Sequence, residues 1–255
     1  MNELSIINGY LSGKSCYQLG KLENVCDETI RNVLIRNSVT RRPAAHIPIY
    51  SHNTKFFSYV NEKSAYWAGF IAADGNIDPR QSTRLKFGLH SKDRILLERL
   101  SNDLSYTGKI RNFESHLNRP HVGLEVGCFK ENAKALNDIY NITPTKTLTL
   151  QPPNIKKEKF VRAFIVGYID GDGCLRFRNN GKQFVLDIIG NKPLMEWIRE
   201  IFNNKFPIVR SSTKLYCYGN AWSYRIVGER ALKIARWLKG CPVDKLERKW
   251  DRVSL

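Results

Sequence analysis

Two apolar segments of this 255-residue chain, residues 65–75 and 163–173, share one pattern: each runs through apolar and small residues and ends in Asp-Gly. A stretch that alternates between apolar and polar residues follows each segment, and then a helical pattern, two strand-like segments and a last helical pattern. Self-similarity of this length is typical of a structural repeat. The sequence therefore predicts two units of helix, two strands, helix, two strands and helix, over residues 61–150 and 160–255, with a linker at 151–159.

Small residues recur at helical spacing within both apolar segments. Gly69 and Ala73 lie four positions apart, as do Gly167 and Gly171, so each pair shares one face of a helix. Small residues on such a face allow two helix backbones to approach closely. We therefore expect the two helices to pack side by side and to end at the same level.

Each of these helices is expected to end in an aspartate, Asp74 or Asp172, followed by a glycine, Gly75 or Gly173, that suits a left-handed position. Two carboxylates at adjacent helix C-termini repel each other and the helix dipoles, and a divalent cation resolves that conflict. Oxygen ligands with room for water suit Mg²⁺, and Mn²⁺ is an alternative. Such a site supports metal-assisted hydrolysis of a phosphodiester. The predicted metal ligands are the carboxylates of Asp74 and Asp172 and the backbone carbonyls of Ala73 and Gly171.

The first 45 residues follow a separate helical pattern. The sequence predicts helices over residues 15–23 and 27–36, the second with Asp27 as its N-cap. Asn24 tolerates a left-handed turn between them, and the small Gly20 permits a close crossing. This segment resembles the helix-turn-helix of resolvase-like DNA-binding domains.

The second of these helices has one apolar and one polar face. Ile30, Val33 and Leu34 are expected to face a core. The residues expected to face the major groove are Glu28, Thr29, Arg31, Asn32 and Arg36. Residues 46–60 are assigned to a linker between this module and the repeats.

The charge of the chain limits the classes of partner that it is expected to bind. The formal net charge is +17, and residues 151–255 alone contribute +11. Such an excess points to a polyanion, most often nucleic acid, rather than to a membrane. No apolar run reaches the roughly 18 residues of a membrane helix, and Met1–Leu4 does not begin a secretory signal. The six cysteines form no C-x-x-C pair, which favours reduced thiols. We therefore expect the protein to lie in the cytoplasm of a bacterial or phage-type host, or in an organelle.

Both apolar segments resemble the motif of LAGLIDADG homing endonucleases, with Trp67–Gly75 and Ile165–Gly173 as the nine-residue cores. The resemblance covers residues 61–255, and two copies in one chain are similar to the monomeric members of that family. The first copy departs from the motif at Ala72, where an acid is common, but the metal-binding acid of the family matches Asp74 and Asp172. The resemblance implies an α+β fold of two pseudo-symmetric αββαββα repeats whose antiparallel strands form a saddle. It also implies Mg²⁺-dependent cleavage of both strands of a long double-stranded DNA site.

The alternating stretches after the two motifs are expected to read DNA. Leu175 and Phe177 alternate with basic residues, and Leu85, Phe87 and Leu89 do the same in the first repeat, which predicts one apolar and one basic face. Arginine binds guanine edges, and both arginine and lysine bind phosphate. The residues predicted to contact DNA are Arg80, Arg84, Lys86, Arg176, Arg178, Lys182 and Gln183.

A basic group beside the metal site is also expected, because the transition state gains negative charge. Lys146 and the Arg248-Lys249 pair occupy comparable late positions in the two repeats, and Lys130 and Arg230 are alternatives. Two other functions remain open. One is a non-catalytic DNA-binding regulator on the same scaffold, and the other is an intron maturase with intron RNA as a partner.

Overall fold

A computed structural model describes residues 2–40, 50–78, 84–114, 119–178, 181, 183–207 and 214–253. The chain divides into two compact units, Met1–Ile47 and Pro48–Leu255.

The first unit contains three helices: α1 (Glu3–Leu11), α2 (Cys16–Leu22) and α3 (Asp27–Arg36). The sequence analysis did not predict α1, whose Ile6 and Tyr10 complete a small core with Ile30, Val33 and Leu34 of α3. Cys26, not Asp27, is the N-cap of α3. Asp27 instead lies in the first turn, where it forms an ion pair with Arg31.

The connection between α2 and α3 is a tight turn. Asn24 has a φ of 53°, which is the left-handed conformation expected for it. A Cβ atom on Gly20 would lie 2.7 Å from the carbonyl oxygen of Val25, so only glycine lets the chain fold back here. A capping box at Ser15 and Gln18 fixes the start of α2.

The second unit contains both repeats. The elements of the first repeat are α4 (Glu62–Asp74), β1 (Asn76–Ile77), β2 (Leu85–His90), α5 (Arg94–Asp103), β3 (Arg111–Glu114), β4 (Pro120–Val126) and α6 (Lys130–Tyr140), followed by the short α7 (Lys146–Thr149). Those of the second are α8 (Glu158–Asp172), β5 (Gly173–Arg178), β6 (Gln183–Gly190), α9 (Lys192–Lys205), β7 (Leu215–Tyr218), β8 (Ala221–Val227) and α10 (Glu229–Lys239), followed by the short α11 (Glu247–Trp250). The predicted αββαββα order is confirmed in both repeats.

Each repeat forms one four-stranded antiparallel sheet, with strand orders β1-β2-β4-β3 and β5-β6-β8-β7. Leu85, Phe87 and Leu89 of β2 are buried beneath the first sheet, while Lys86 between them is exposed. A single hydrophobic core runs through both repeats. One face of each sheet therefore covers this core, and the opposite face is its outer face.

Residues 50–60, which the sequence assigns to the linker, pack against the second unit. Phe57 is completely buried in its core, and its backbone amide donates to Asn132 Oδ1 at 3.2 Å. The Asn132 amide in turn donates to the carbonyl of Asn53 at 2.9 Å. This part of the segment therefore belongs to the folded unit, because a buried aromatic side chain and a buried amide anchor it.

Candidate active site

Helices α4 and α8 form the largest interface between two elements of the second unit. A Cβ atom on Gly69 would lie 2.0 Å from the carbonyl oxygen of Phe164, and one on Gly167 would lie 1.9 Å from that of Tyr66. Both distances are far below van der Waals contact, so only glycine allows the two backbones to meet. The close helix packing expected from the spacing of small residues is confirmed.

The C-terminal ends of α4 and α8 lie side by side. A Cβ atom on Gly171 would lie 2.3 Å from the Cβ of Ala73 and 3.2 Å from Oδ2 of Asp74. Asp74 and Asp172 are the last residues of the two helices, and both are exposed to solvent. The fold thus brings the two predicted acids, with Ala73 and Gly171, into one small region.

Gly75 and Gly173 do not adopt the left-handed conformation expected for them. Their φ angles are −74° and −105°, which any residue adopts. Space explains the glycines instead, because a Cβ atom on Gly75 would lie 2.9 Å from the carbonyl oxygen of Ile71, and one on Gly173 would lie 2.7 Å from that of Ile169. The chain turns directly from helix into strand at these points.

Partial burial raises the pKa of both carboxyl groups at this site. Although each residue is exposed, its carboxyl group lies against the packed helix ends. For Asp172, this desolvation and then the charge of Asp74 raise the pKa to about 6, against the opposing charges of Lys146 and Lys249. For Asp74, desolvation raises the pKa, and the two lysines again oppose the shift. Paired acids with raised pKa values are typical of a functional site.

Two lysines flank the acids. Lys146 of α7 donates to the carbonyl of Gly75 at 2.6 Å. Lys249 of α11 occupies the corresponding position at the end of α8, and burial lowers the pKa of both amines. The carbonyls that accept hydrogen bonds from Lys249 are those of Asp170 at 2.7 Å, Gly173 at 2.8 Å, Ile169 at 2.9 Å and Gly171 at 3.1 Å. The Gly171 carbonyl, a predicted metal ligand, therefore already has a partner.

The other basic candidates lie elsewhere. Arg248 forms a two-pronged ion pair with Asp93, with both N–O distances 2.6 Å. Arg230 donates to Asn203 at 2.8 Å, and Lys130 begins α6 at an exposed position. Lys146 and Lys249 are thus the two candidates that the fold brings to the acids.

Sequence reasoning missed Asp170, which is only 3% exposed. Its carboxylate accepts hydrogen bonds from the Tyr66 hydroxyl at 2.7 Å, the Leu246 amide at 2.8 Å and the Trp250 indole at 2.6 Å. The corresponding residue of the first motif is Ala72. The presence of an acid in only one copy was the signal that could have singled it out.

The segment at the end of each repeat, which contains α7 or α11, forms hydrogen bonds with the other repeat. Beyond the Asp93 ion pair, Arg99 of the first repeat donates to Glu247 at 2.8 Å and to the carbonyl of Lys245 at 3.0 Å, both in the closing segment of the second repeat. Conversely, Asn191 of the second repeat donates to the carbonyl of Leu150, just after α7, at 2.6 Å. Each lysine is therefore carried by a segment that the opposite repeat holds.

The outer face of the second sheet carries three predicted DNA contacts. Arg176 and Arg178 of β5 lie there with Gln183, which accepts a hydrogen bond from Arg178 at 2.7 Å. Phe177, expected on the buried face, is 44% exposed and packs edge-on against Phe184. Burial at this end of the strand is incomplete because β5 lies at the sheet edge.

Sequence reasoning also missed an ion pair in the middle of this face. Asp187 of β6 is only 6% exposed, and it accepts hydrogen bonds from Ser223 at 2.7 Å and from Arg225 at 2.6 and 2.8 Å. The paired Arg225 guanidinium is thereby fixed on the outer face. The partners lie on different strands, so no local pattern in the sequence reveals them.

The outer face of the first sheet is basic as well, and the exposed Arg111 of β3 lies on it. Lys86 is exposed there, and Arg84 forms an ion pair with Glu125 at 3.2 Å. Phe113 is 45% exposed on the same face, where its ring packs against His121. The other two predicted contacts, Arg80 and Lys182, lie outside the described residues.

In the first unit, the predicted groove-facing residues lie on the accessible side of α3. Asn32 and Arg36 are exposed, and Thr29 and Arg31 are partly exposed. Arg31 is paired with Asp27 and Glu28, and Arg36 with Glu3 at 3.3 Å. Three of the five predicted side chains, Glu28, Arg31 and Arg36, therefore form ion pairs within the unit.

One acid and one lysine, Asp172 and Lys146, border a cavity of about 320 Å³, which is also lined by Ala72, Thr147, Tyr168, Asn191 and neighbouring residues. In the described part of the chain, no group of three or more His, Cys, Asp or Glu side chains is arranged to hold a metal ion. Two carboxylates without a third side chain still fit Mg²⁺, which keeps several waters and takes one or two carboxylates plus substrate phosphate. None of the described helices is long and apolar enough to cross a membrane.

No protein-family model matches the chain, and no curated protein matches its sequence. Solved structures do match. The homing endonuclease I-WcaI bound to its DNA recognition sequence is 14% identical with a TM-score of 0.52, covering 84% of this chain and 96% of its own. The LAGLIDADG homing endonuclease I-GzeII in complex with its DNA target is 12% identical with a TM-score of 0.50, covering 76% and 88%.

The N-terminal LAGLIDADG domain of DUF199/WhiA is also similar, at 16% identity and a TM-score of 0.44, covering 84% of this chain and 98% of its own. Identities this low show the fold alone. Together with the order of elements in both repeats, they establish that the chain has the two-repeat LAGLIDADG fold.

Proposed function

We propose that this protein is a site-specific endonuclease that cuts both strands of double-stranded DNA with the help of a divalent metal, and that it acts as a monomer. The observation that carries the proposal is the pairing of two aspartates with two lysines at the adjoining ends of α4 and α8. A structural role alone does not require two carboxylates to be held together at helix C-termini, where both charges are disfavoured.

Asp74 and Asp172 would hold Mg²⁺ or Mn²⁺. When bound, such a cation supplies an activated water and stabilises the leaving oxygen of the phosphodiester. The residues here fit that group because their carboxylates are hard oxygen ligands that remain exposed to solvent and substrate. The repulsion from Asp74 that helps to raise the pKa of Asp172 would be relieved by a bound cation.

Lys146 and Lys249 supply positive charge beside the acids. Each ammonium group is fixed by backbone carbonyls, so little reorganisation is needed when negative charge develops on the phosphate. Because the two lysines occupy corresponding positions in the two repeats, they suit the two backbones of a duplex.

DNA would lie along the outer faces of the two sheets. Lys86, Arg176, Arg178 and Arg225 present cations or donors there, and the net charge of +17 supports binding to phosphate. The first unit would add a second contact through Thr29, Arg31, Asn32 and Arg36 of α3, in the manner of a helix-turn-helix.

Selection of cleaved sites from a randomised duplex library tests the proposal. Cut ends at one long motif with Mg²⁺, and binding without cutting with Ca²⁺, are the expected results. Enriched binding without cutting in either metal would contradict the endonuclease and favour a DNA-binding regulator on this scaffold.

Variants of the two acids test the assignment of the site. Asp74→Asn and Asp172→Asn should each reduce cleavage by about 10³-fold or more, since several kcal/mol of transition-state stabilisation are lost, while DNA binding with Ca²⁺ persists. Asp138→Asn is the matched control, because Asp138 is an exposed partner of Lys134 on α6. Cleavage at the wild-type rate by either acid variant would contradict the two-acid site.

A further inference from the structure

The two lysines at the site lie on segments that are held in place by different residues. For Lys249 the holding residue is Asp170, and for Lys146 it is Asn191. Both are almost completely buried, with exposed fractions of 3% and 5%. A buried polar side chain is retained only where its hydrogen bonds compensate for its lost hydration.

Asp170 connects α8 to the segment that carries Lys249. Its Oδ2 accepts from the Leu246 amide at 2.8 Å, one residue before α11 begins, and its Oδ1 accepts from the Trp250 indole at 2.6 Å, directly after Lys249. These bonds bracket α11 on both sides. Asp93 adds a third attachment through Arg248. The position of the Lys249 ammonium group therefore depends on the Asp170 carboxylate.

Asn191 holds the segment that carries Lys146 in a corresponding way. Its amide donates to the carbonyl of Leu150 at 2.6 Å and to that of Leu148 at 3.4 Å, and its oxygen accepts from the Leu194 amide at the start of α9. Leu148 lies within α7 and Leu150 is its C-cap, so this side chain ties the Lys146 segment to the second repeat. In the described part of the chain, the Asp170 side chain forms no hydrogen bond with α7, and the Asn191 side chain forms none with α11.

Resting on the endonuclease function proposed above, we propose that Asp170 and Asn191 are separate positioning residues, each of which sets the cleavage rate of one DNA strand. Two lysines in corresponding positions face the two backbones of the duplex, so a displaced lysine affects the strand it serves. Loss of Asp170 should slow one strand, and loss of Asn191 should slow the other.

Strand-specific cleavage rates test this proposal. A duplex carrying the target is labelled at either 5′ end, and each strand is followed with Mg²⁺. In Asp170→Asn, an amide NH₂ replaces one acceptor, so one strand should be cut about tenfold more slowly relative to the other. In Asn191→Ala the ratio should shift by a similar factor in the opposite direction.

Further variants separate positioning from a general loss of stability. Trp250→Phe keeps the aromatic volume but removes one donor to Asp170, so it should shift the ratio in the same direction as Asp170→Asn, even if the latter folds poorly. Asn132→Ala is the matched control, since Asn132 is a buried asparagine that ties a different segment to α6. It should leave the strand ratio unchanged.

Hydrogen exchange of the metal-free protein gives a readout that does not depend on activity. Amides of residues 246–253 should exchange faster in Asp170→Asn, and those of residues 146–150 in Asn191→Ala, each without change in the other segment. Unchanged exchange in both segments, or an equal slowing of both strands in either variant, would overturn the proposal. A wild-type protein that cuts neither strand would overturn the endonuclease function and the strand assignment with it, while the exchange data would still decide whether each residue holds its segment.

Discussion

The two repeats present the same pair of groups, an aspartate and a lysine, but they surround that pair with different residues. In the second repeat, Asp170 and Trp250 meet through a buried hydrogen bond. The corresponding residues of the first repeat, Ala72 and Thr147, cannot make that bond, and they line a cavity instead. Pseudo-symmetry is therefore kept at the aspartate and the lysine and is lost one layer further out.

The outer faces of the two sheets differ in how their arginines are held. On the second, Asp187 fixes Arg225 beside Arg176 and Arg178. On the first, Lys86 and Arg111 are exposed, and Arg84 is paired with Glu125. A duplex lying over both sheets would meet basic side chains on each.

The two glycines at the helix interface should contribute equally to stability. Substitution of either one should have the largest effect of all the predicted changes. Gly69→Ala and Gly167→Ala should each lower the free energy of unfolding by about 3 kcal/mol or more, because the new Cβ would overlap a carbonyl oxygen of the facing helix. Chemical denaturation measures the change. Gly127→Ala is the control, since nothing lies within 4 Å of its Cβ position. Wild-type stability of Gly167→Ala would contradict the close packing.

The two lysines should contribute equally to the cleavage rate but unequally to the stability of the fold. Lys146→Met and Lys249→Met should each slow cleavage by about 10²-fold, as expected for loss of a fixed charge at the transition state. Lys249→Met should also lower the free energy of unfolding by about 1–3 kcal/mol, because it removes hydrogen bonds to four carbonyls, against one for Lys146→Met. Kinetics and thermal melts measure both effects. Equal destabilisation by the two variants would contradict the asymmetry.

The acids should oppose folding of the metal-free protein at neutral pH. The folded-state pKa of Asp172 is raised to about 6 by burial and by Asp74. The folded state therefore binds more protons than the unfolded state between pH 4 and 6, and stability should fall as the pH rises through that window. Asp172→Asn should raise the free energy of unfolding at pH 7 by about 1 kcal/mol, a value reduced because the residue is exposed and solvent screens it. A variant less stable than the wild type without metal would contradict this sign.

The smallest effects should appear in the salt dependence of DNA binding. Replacement of one phosphate-contacting cation should reduce the slope of log K against log salt by about 0.9. Arg178→Ala and Lys86→Ala test one cation from each sheet, with binding measured over a range of salt concentrations in Ca²⁺. Lys134→Ala on the outside of α6 is the control. An unchanged slope in both sheet variants would show that DNA does not contact these faces.

Sequence patterns predicted the repeat order, the close packing of α4 and α8 and the convergence of Asp74 with Asp172, because all of these depend on spacing within one helix or on a repeated motif. They did not predict what holds Lys249. Asp170 meets Leu246 and Trp250 across more than seventy residues of chain, and Arg248 meets Asp93 across more than twice that span. Such contacts depend on how the closing segments cross, which no local periodicity encodes.

The crossing of the closing segments also determines how the protein can be recombined. A hybrid that takes residues up to 150 from one protein and the remainder from another would place α7 against a foreign partner at position 191, and α11 against foreign residues at positions 93 and 99. The Lys146 segment would then lose its bond to Asn191, whereas the Lys249 segment would keep Asp170 but lose its contacts with Asp93 and Arg99. A chimaera that takes both closing helices from the same protein as residues 93, 99, 170 and 191 should keep both lysines in place.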